Sequence, residues 1–503
     1  MRNPSPDRNS QSAPETGYRR KAVGGTIVTG VGAVSRAFLQ VLAIVLLARL
    51  LTPDDFGVMG MVFPIVAFAG IFQEAGLNLA VVQRGQISDE ELSTVFWINT
   101  ALGVTLCLLL IAAAPFVAAF YGEPRVAALT AASGTLVLLG ALAAQHSALL
   151  NRAMHFGRLA LIDGLSLLAG TALAIAAAFY YRTYWAIFLL NFGTSVAYCL
   201  LSWTFSGWRP GKRASLRQVS DILGFGAHFT LGTVATYFGR NLDKVLIGRF
   251  WGTTALGYYE RAYKVVLMPI LFVHNPLMRV ALPMLSQTRG DPGRYRRIFM
   301  LSFQLSLLLT VPGIVLLASA AAQVVDLVMG PQWIVGAPVF AWLAVACLGQ
   351  LATGPLTMLF VSQDRAREAM ISSVVTSIYS SVAFVIGLPW GATGVAMAYA
   401  FSELIRTPVM LWYASRSGPV SFADTGRAIL PFVAATPLCF LAVTHLAWLT
   451  DGRASPLVFT LISSVAVYLL AIPCLLLNQA GRQCLGEMVS IGRSVALRTR
   501  AAA

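Results

Sequence analysis

The stretch that decides the fold class lies at residues 93–120 and reads STVFWINTALGVTLCLLLIAAAPFVAAF, 28 positions without a charged side chain. A bilayer core of about 30 Å is crossed by about 20 apolar residues in an α-helix, so this stretch is long enough to span a membrane. The pattern recurs along the chain. Fourteen spans are predicted, at 23–50, 56–82, 93–120, 125–150, 159–180, 184–206, 221–249, 254–285, 297–328, 333–362, 366–388, 391–414, 425–448 and 456–478.

The overall composition also indicates that the chain lies in a lipid bilayer. Of the 503 residues, 57% are hydrophobic and only 11% are charged, and the mean hydropathy is +0.72. A soluble domain carries about 25% charged residues, so this chain has too few polar groups to cover its surface in water. The connections between the predicted spans are short and leave no room for a soluble domain. The sequence therefore predicts an all-α integral membrane protein with about 14 transmembrane helices.

The basic residues indicate the orientation of the spans. Of the 36 Lys and Arg, 24 fall in the two tails and in alternate loops, whereas five fall in the other loops. Cytoplasmic loops of membrane proteins carry the excess of Lys and Arg, so both termini are predicted to be cytoplasmic. The net charge of +15 reflects this asymmetry, and no nucleic-acid partner is predicted.

Two short stretches indicate an internal repeat. ARLLTPDDFG at Ala48–Gly57 aligns without a gap to GRFWGTTALG at Gly248–Gly257, so that Gly57 matches Gly257. Chance similarity of two short loops is the alternative. Both stretches, however, fall in the turn between the first and second helix of a predicted half. Six spans separate them, so the repeats are predicted to be parallel and related by an axis along the membrane normal.

Seven cations remain inside the predicted spans. Arg279 and Arg406 lie near predicted cytoplasmic ends, where a long side chain reaches the headgroups. The other five are buried more deeply, and a charge at a helix centre costs about 2.5–3.5 kcal/mol on insertion scales. They are the candidate site for an anionic ligand: Arg36, Arg240, Lys244, Arg261 and Lys264.

Acidic residues in the spans leave alternatives open. Asp243 and Glu260 lie close enough in sequence to neutralise neighbouring cations, so an internal network of ion pairs would account for part of the charge. The excess of cations nevertheless favours an anionic ligand. Glu74, Asp163 and Asp243 are candidates for ion coupling, and each is equally explained as a packing partner between helices. No metal site or other cofactor is predicted.

Four segments resemble the polysaccharide transporter family of Wzx-like flippases, in the multidrug/oligosaccharidyl-lipid/polysaccharide exporter superfamily. They are ARLLTPDDFGVMGMV (48–62), EAGLNLAVVQR (74–84), NLDKVLIGRFWGTTALGYYERAYKVVLMP (241–269) and ALPMLSQ (281–287). The resemblance implies two pseudosymmetric six-helix lobes around a central cavity, followed by two extra helices. The predicted division is a disordered tail 1–22, an N-lobe 23–206, a linker 207–220, a C-lobe 221–414, two helices at 425–478 and a C-terminal tail 479–503.

The resemblance also implies a function. Such proteins flip undecaprenyl-diphosphate-linked oligosaccharides across the bacterial inner membrane, for O-antigen, capsule or exopolysaccharide biosynthesis. The expected partners are this substrate, membrane lipids, a polysaccharide polymerase and chain-length proteins. The cations suit the diphosphate, and Arg36, Arg240, Lys244 and Lys264 are expected to converge on one cavity between the lobes. No enzyme activity is predicted. The alternatives are a cation-coupled multidrug exporter of the superfamily and a membrane enzyme of polysaccharide assembly.

Overall fold

The computed structural model describes residues 36, 38–74, 87–215, 220–450, 455–476, 482 and 486. The predicted tail 1–22 lies outside these residues, as does the predicted C-terminal tail 479–503 apart from positions 482 and 486. Two compact units make up the chain, Met1–Leu51 with Val62–Val234 and Thr52–Met61 with Ala235–Ala503. The described part of the chain contains helices and no strand.

The first unit is built mainly from helical hairpins. Helix α3 packs along α4, α5 packs along α6, and α4 also contacts α6. Helix α2 begins in the second unit and continues into the first, whereas α7 begins in the first unit and continues into the second. The bounds are α1 Phe38–Leu50, α2 Pro53–Glu74, α3 Asp89–Tyr121, α4 Arg125–Arg152, α5 Phe156–Tyr181, α6 Trp185–Ser206 and α7 Ser220–Gln287.

The second unit contains the remaining helices. They are α8 Pro292–Ser319, α9 Ala321–Met329, α10 Ala337–Thr353, α11 Leu356–Ser362, α12 Ala366–Gly387, α13 Gly391–Ser415, α14 Phe422–Thr450 and α15 Pro456–Leu476. Helix α13 packs on α10 and α12, while α8 contacts α10, α14 and α15. The last two helices therefore lie against α8.

The number of membrane-crossing helices agrees with the sequence prediction of about fourteen. Among the described residues, 11 segments are long and apolar enough to span a bilayer. Two of these, Gly239–Gln287 and Ala366–Ser415, each cover two predicted spans, and the shorter apolar helix α1 covers part of the first predicted span. The chain is therefore a multi-pass α-helical membrane protein.

Two predicted spans are interrupted. The span predicted at 297–328 is divided between α8 and α9, and α9 ends at Gly330, whose φ of 103° favours glycine. The span predicted at 333–362 begins as a 3₁₀ turn and is broken between α10 and α11 beside Pro355. Proline lacks the N–H that would continue a helix, so a break at this position is expected.

Helix α3 begins four residues before the predicted span because its first turn is polar. The hydroxyl of Ser88 accepts a hydrogen bond from the Glu91 N–H at 3.2 Å, and the Ser88 N–H donates to the Glu91 carboxylate at 2.8 Å. This reciprocal pair is a capping box, which satisfies two otherwise unpaired donors. The apolar residues of the span follow directly.

Replacing Ser88 with alanine is expected to lower the unfolding free energy by about 1 kcal/mol, because the N-cap acceptor is lost. Thermal unfolding of the detergent-solubilised protein measures the effect. Ser373→Ala is the control, since the Ser373 hydroxyl donates only to the Ala369 carbonyl of its own helix. Equal melting temperatures for the two variants would contradict the capping role.

Candidate functional site

The turn before α2 is organised by helix-capping residues. The backbone N–H and the hydroxyl of Thr52 donate to the Asp55 carboxylate at 3.0 and 2.7 Å, and the Asp55 N–H donates to Thr52 Oγ1 at 3.3 Å. Pro53 occupies the first helical position, where no N–H is required. The sequence TPDD therefore fixes the start of α2.

Asp54 points from this turn to another helix start. Helix α7 is interrupted at Gly252, whose backbone has φ 79° and ψ −173°, so a first arm (220–251) and a second arm (253–287) meet there. Asp54 Oδ1 accepts hydrogen bonds from the hydroxyls of Thr253 and, at 3.5 Å, Thr254. These threonines open the second arm, and a carboxylate is favourable at the positive end of a helix.

The two copies of the predicted repeat meet at this position. A Cβ atom on Gly57 would overlap the carbonyl oxygen of Thr253, and one on Gly257 would overlap the carbonyl oxygen of Pro53. Pro53 and Thr253 are equivalent positions of the repeat, as are the two glycines, so the contact is reciprocal. Reciprocal contacts arise at a two-fold axis. We name these four residues the glycine crossing. The two backbones can approach so closely because positions 57 and 257 carry no side chain.

An aromatic and cationic stack lies beside the glycine crossing. The guanidinium carbon of Arg261 is 4.0 Å from the ring centroid of Phe56, and the Phe56 ring contacts Trp333 edge-on at 5.4 Å. Arg261 is only 4% exposed. A cation over an aromatic face is stabilised by the ring quadrupole, more so when water is excluded. Arg261 thus joins the second arm to α2.

Lys264 and Lys244 share a carboxylate on α7. Lys264 Nζ lies 2.9 Å from Glu260 Oε1, and the lysine side chain is 45% exposed whereas that of Glu260 is 4% exposed. The Glu260 carboxylate also interacts electrostatically with Lys244 and Arg261. Arg240, one turn before Lys244, is exposed. We name Lys244, Glu260 and Lys264 the cation cluster.

Asp243 occupies a separate, buried place on α7. It is 3% exposed, and one carboxylate oxygen accepts the Lys244 N–H at 2.8 Å. Tyr259 lies beside it, and Tyr263 of the next turn lies beside Tyr399 of α13. A carboxylate buried among helices and beside tyrosine hydroxyl groups is a candidate for binding a coupling ion. Asp243 therefore remains a candidate for ion coupling.

Arg406 is not the snorkelling side chain that its position suggested. It is 5% exposed, and its guanidinium pairs with Glu403 at 2.5 Å on the same helix α13. It also donates to the hydroxyl of Thr376 on α12 at 3.1 Å and to Thr353 on α10 at 3.4 Å. A buried charge needs such partners, so Arg406 ties three helices together instead of reaching the headgroups.

In the first unit, two residues predicted for different roles form an ion pair. Arg36 Nη1 lies 2.7 Å from the carboxylate of Asp163 on α5, with side-chain exposures of 49% and 35%. The two residues are therefore each other's partners, which gives Asp163 a helix-pairing role beside its predicted coupling role. Glu74 ends α2, and its side chain lies outside the described residues.

The predicted site residues thus fall into distinct groups. Lys244 and Lys264 come together around Glu260, Arg261 turns to Phe56, and Arg36 belongs to the other unit. The convergence of Arg36 with the cations of α7 stays a prediction. Sequence reasoning offered Glu260 only as an acid that could neutralise neighbouring cations, and its spacing from Lys264 (i,i+4) places both on one helix face. The glycine match at an offset of 200 residues was the signal for the crossing.

Together the fold and the cluster define a class: a polytopic helical membrane protein with lysines paired to a buried carboxylate in a membrane-spanning segment. Residues 46–338 match the family model described as polysaccharide biosynthesis protein, which is more than half of the chain. The chain belongs to this family.

Curated relatives agree with the family match. The chain is 25% identical over 396 residues to the teichuronic acid biosynthesis protein TuaB of Bacillus subtilis, covering 78% of this chain and 82% of the relative. It is also 25% identical to the lipopolysaccharide biosynthesis protein WzxC of Escherichia coli, covering 77% and 80% of the two chains. The succinoglycan biosynthesis transport protein ExoT of Rhizobium meliloti is 26% identical, with 64% and 65% covered.

Solved structures share the fold. The lipid II flippase MurJ in an inward closed conformation superposes with a TM-score of 0.72 at 15% identity, covering 88% of this chain and 98% of that one. An inward-facing multidrug resistance MATE family transporter of the MOP superfamily gives 0.58 at 14% identity, with 78% and 96% covered. At these identities the likeness concerns the fold alone. With the family match, it identifies a multi-pass bacterial membrane protein.

Proposed function

We propose that this chain is a flippase that carries undecaprenyl-diphosphate-linked oligosaccharide across the inner membrane for surface polysaccharide biosynthesis. The cation cluster on α7 is the observation that carries the proposal, because it places two ammonium groups around one buried carboxylate within a membrane-spanning segment. The names of the relatives support it, since they are biosynthesis or transport proteins for teichuronic acid, lipopolysaccharide and succinoglycan. The glycan of this chain is an O-antigen, a capsule or an exopolysaccharide.

The chemistry of the substrate fits the site. A diphosphate brings at least two negative charges into a low-dielectric region, where desolvation is costly. Lysine and arginine offset that cost by charge-assisted hydrogen bonds to the phosphate oxygens. In this proposal Lys244 and Lys264 contact the diphosphate directly, while Arg240 contributes from an exposed position on the same helix. Arg261 acts indirectly, by holding α2 through Phe56.

Transport follows an alternating-access cycle in which the site opens to one side of the membrane at a time. Asp243 is the best-placed candidate for coupling this cycle to an ion, and Glu74 and Asp163 are the others. In this proposal both termini lie in the cytoplasm, an orientation that the distribution of Lys and Arg supports. The protein performs no covalent chemistry and works beside a polysaccharide polymerase and chain-length proteins.

The multidrug exporter is the second candidate, because a MATE transporter has the same fold. A pump for cationic drugs requires carboxylates that face its ligand. Here the exposed group of the cluster is the ammonium of Lys264, whereas the carboxylate of Glu260 is buried. The charges therefore favour an anionic substrate. A membrane enzyme of polysaccharide assembly is the remaining alternative.

Complementation distinguishes these functions. A host strain lacking its own oligosaccharide flippase, supplied with the full chain and the matching glycan genes, is expected to regain surface polysaccharide, measured by gel staining of the polymer. The same strain is expected to show unchanged susceptibility to cationic drugs. Drug resistance without polysaccharide would support the exporter instead, and polymer made in detergent extracts from externally added lipid-linked units would support an enzyme.

A further inference from the structure

Glu260 occupies a position that the proposed function does not require. A site for a diphosphate needs cations, yet the carboxylate of Glu260 lies within hydrogen-bond distance of Lys264 Nζ. The carboxylate is almost fully buried, while the lysine is 45% exposed, so the ammonium group is held between the carboxylate and open space. An anion that approaches Lys264 from the open side therefore meets a lysine that already has an anionic partner.

The surroundings of Glu260 hold its carboxylate in place. Lys264, Lys244 and Arg261 all interact with it electrostatically, so three cations surround one carboxylate. Its second oxygen, Oε2, faces α2 at Gly60 and lies 3.6 Å from the position that a Cβ atom on Gly60 would take. A Cβ atom at that distance would be in ordinary van der Waals contact with the carboxylate. Glu260 therefore lies against α2 close to the glycine crossing.

We propose that Glu260 is a resident counter-ion that competes with the substrate's diphosphate for Lys264, so that it weakens binding and speeds release. This inference rests on the proposed function and identifies Glu260 as a residue that sets affinity without contacting the substrate. With Glu260 charged, the cation cluster carries a net charge of +1. Binding of a diphosphate draws Lys264 away from Glu260, and the return of Lys264 to Glu260 favours departure of the diphosphate on the far side.

Such a competitor is useful to a carrier. A transporter must release its substrate, and a site of several cations in an apolar environment would hold a diphosphate tightly. Loss of one hydrogen bond between charged groups changes affinity by about tenfold or more, so a resident partner of Lys264 lowers the affinity for the diphosphate by a similar factor. The internal carboxylate thus sets affinity to a level at which both loading and release are possible.

The test measures affinity and export in the same variants. The full chain is purified in detergent, and binding of geranylgeranyl diphosphate, with geranylgeraniol as the uncharged control, is measured by calorimetry. Glu260→Gln is expected to bind the diphosphate about tenfold more tightly while surface polysaccharide in complementing cells decreases. A merely structural role for Glu260 would lower both values together.

Control variants keep the interpretation specific. Glu123→Gln removes the same charge from an ion pair with Arg125 in the first unit and is expected to change neither value. Glu260→Asp keeps the charge but withdraws it from Lys264, so its affinity is expected to lie between those of the wild type and Glu260→Gln. In a Lys264→Gln background the Glu260→Gln substitution is expected to lose most of its effect on affinity.

Two outcomes count against different claims. If the wild-type chain binds no prenyl diphosphate, the proposed function fails, and this inference fails with it. If the wild type binds but both Glu260→Gln and Glu260→Asp bind equally well or more weakly, only the counter-ion role is overturned. If Glu260→Gln does not reach the membrane, the diphosphate affinity of Glu260→Asp tests the counter-ion role instead. That affinity is compared in the wild-type chain and in the Lys264→Gln background.

Discussion

Replacing Lys244 and Lys264 together with glutamine is expected to abolish export of the lipid-linked oligosaccharide. A hydrogen bond to a charged group contributes about 1.5–3 kcal/mol, so losing two of them lowers the affinity for a diphosphate by at least about a hundredfold. Glutamine is one atom shorter than lysine but remains polar, and membrane insertion should be normal. Surface polysaccharide in a complemented flippase-deficient strain is the measurement, with protein in the membrane fraction quantified alongside.

The matched control removes the same number of charges elsewhere. Lys212 and Arg213 are exposed in the segment after α6, and glutamine at both positions is expected to leave export near the wild-type level. Lys264→Arg keeps the charge and is expected to retain part of the activity. Normal polysaccharide from the Lys244→Gln, Lys264→Gln double variant would show that these cations do not serve the substrate.

Alanine at Gly57 is expected to destabilise the protein by about 1–3 kcal/mol or more, because the added Cβ overlaps the backbone carbonyl of Thr253. Alanine at Gly257 meets Pro53 in the same way. Once the helices have separated to admit one methyl group, much of the space for the second already exists. The double variant is therefore expected to cost less than the sum of the single variants. Thermal unfolding in detergent measures all three.

Gly70 supplies the comparison for the glycine crossing. It lies on the same helix α2, but a Cβ atom there would have no other atom within 4 Å. Gly70→Ala is expected to leave the melting temperature unchanged or to raise it, since alanine is the better helix former by about 1 kcal/mol. If Gly57→Ala behaved like Gly70→Ala, the close approach at Thr253 would not contribute to stability.

Much of the fold could be predicted because hydropathy is a local property. Each apolar run of about 20 residues identifies a helix without knowledge of its neighbours, so the spans in 93–206 match α3 to α6 closely. The breaks in 297–328 and 333–362 were missed, since a turn of a few residues hardly changes hydropathy. Pro355 was the visible signal for one of them.

The site was less predictable because its partners are distant in sequence. The pairs Glu260–Lys264 and Glu403–Arg406 follow from helical spacing, but spacing does not tell whether a pair is buried. The contacts of Arg261 with Phe56 and of Arg36 with Asp163 join residues more than a hundred positions apart. Such contacts depend on how helices pack, which a single sequence does not encode in a readable pattern.

The reciprocity of the glycine crossing bears on the ancestry of the chain. Position 57 contacts position 253, and position 257 contacts position 53. A half-length precursor could have made this reciprocal contact with a second copy of itself. Gene fusion would then have joined the two subunits of a homodimer without creating a new interface. After fusion, the two copies could no longer accumulate changes at these positions independently. A bulkier residue in one copy requires more space in the other, so substitutions near 57 and 257 should be correlated among descendants of the same duplication.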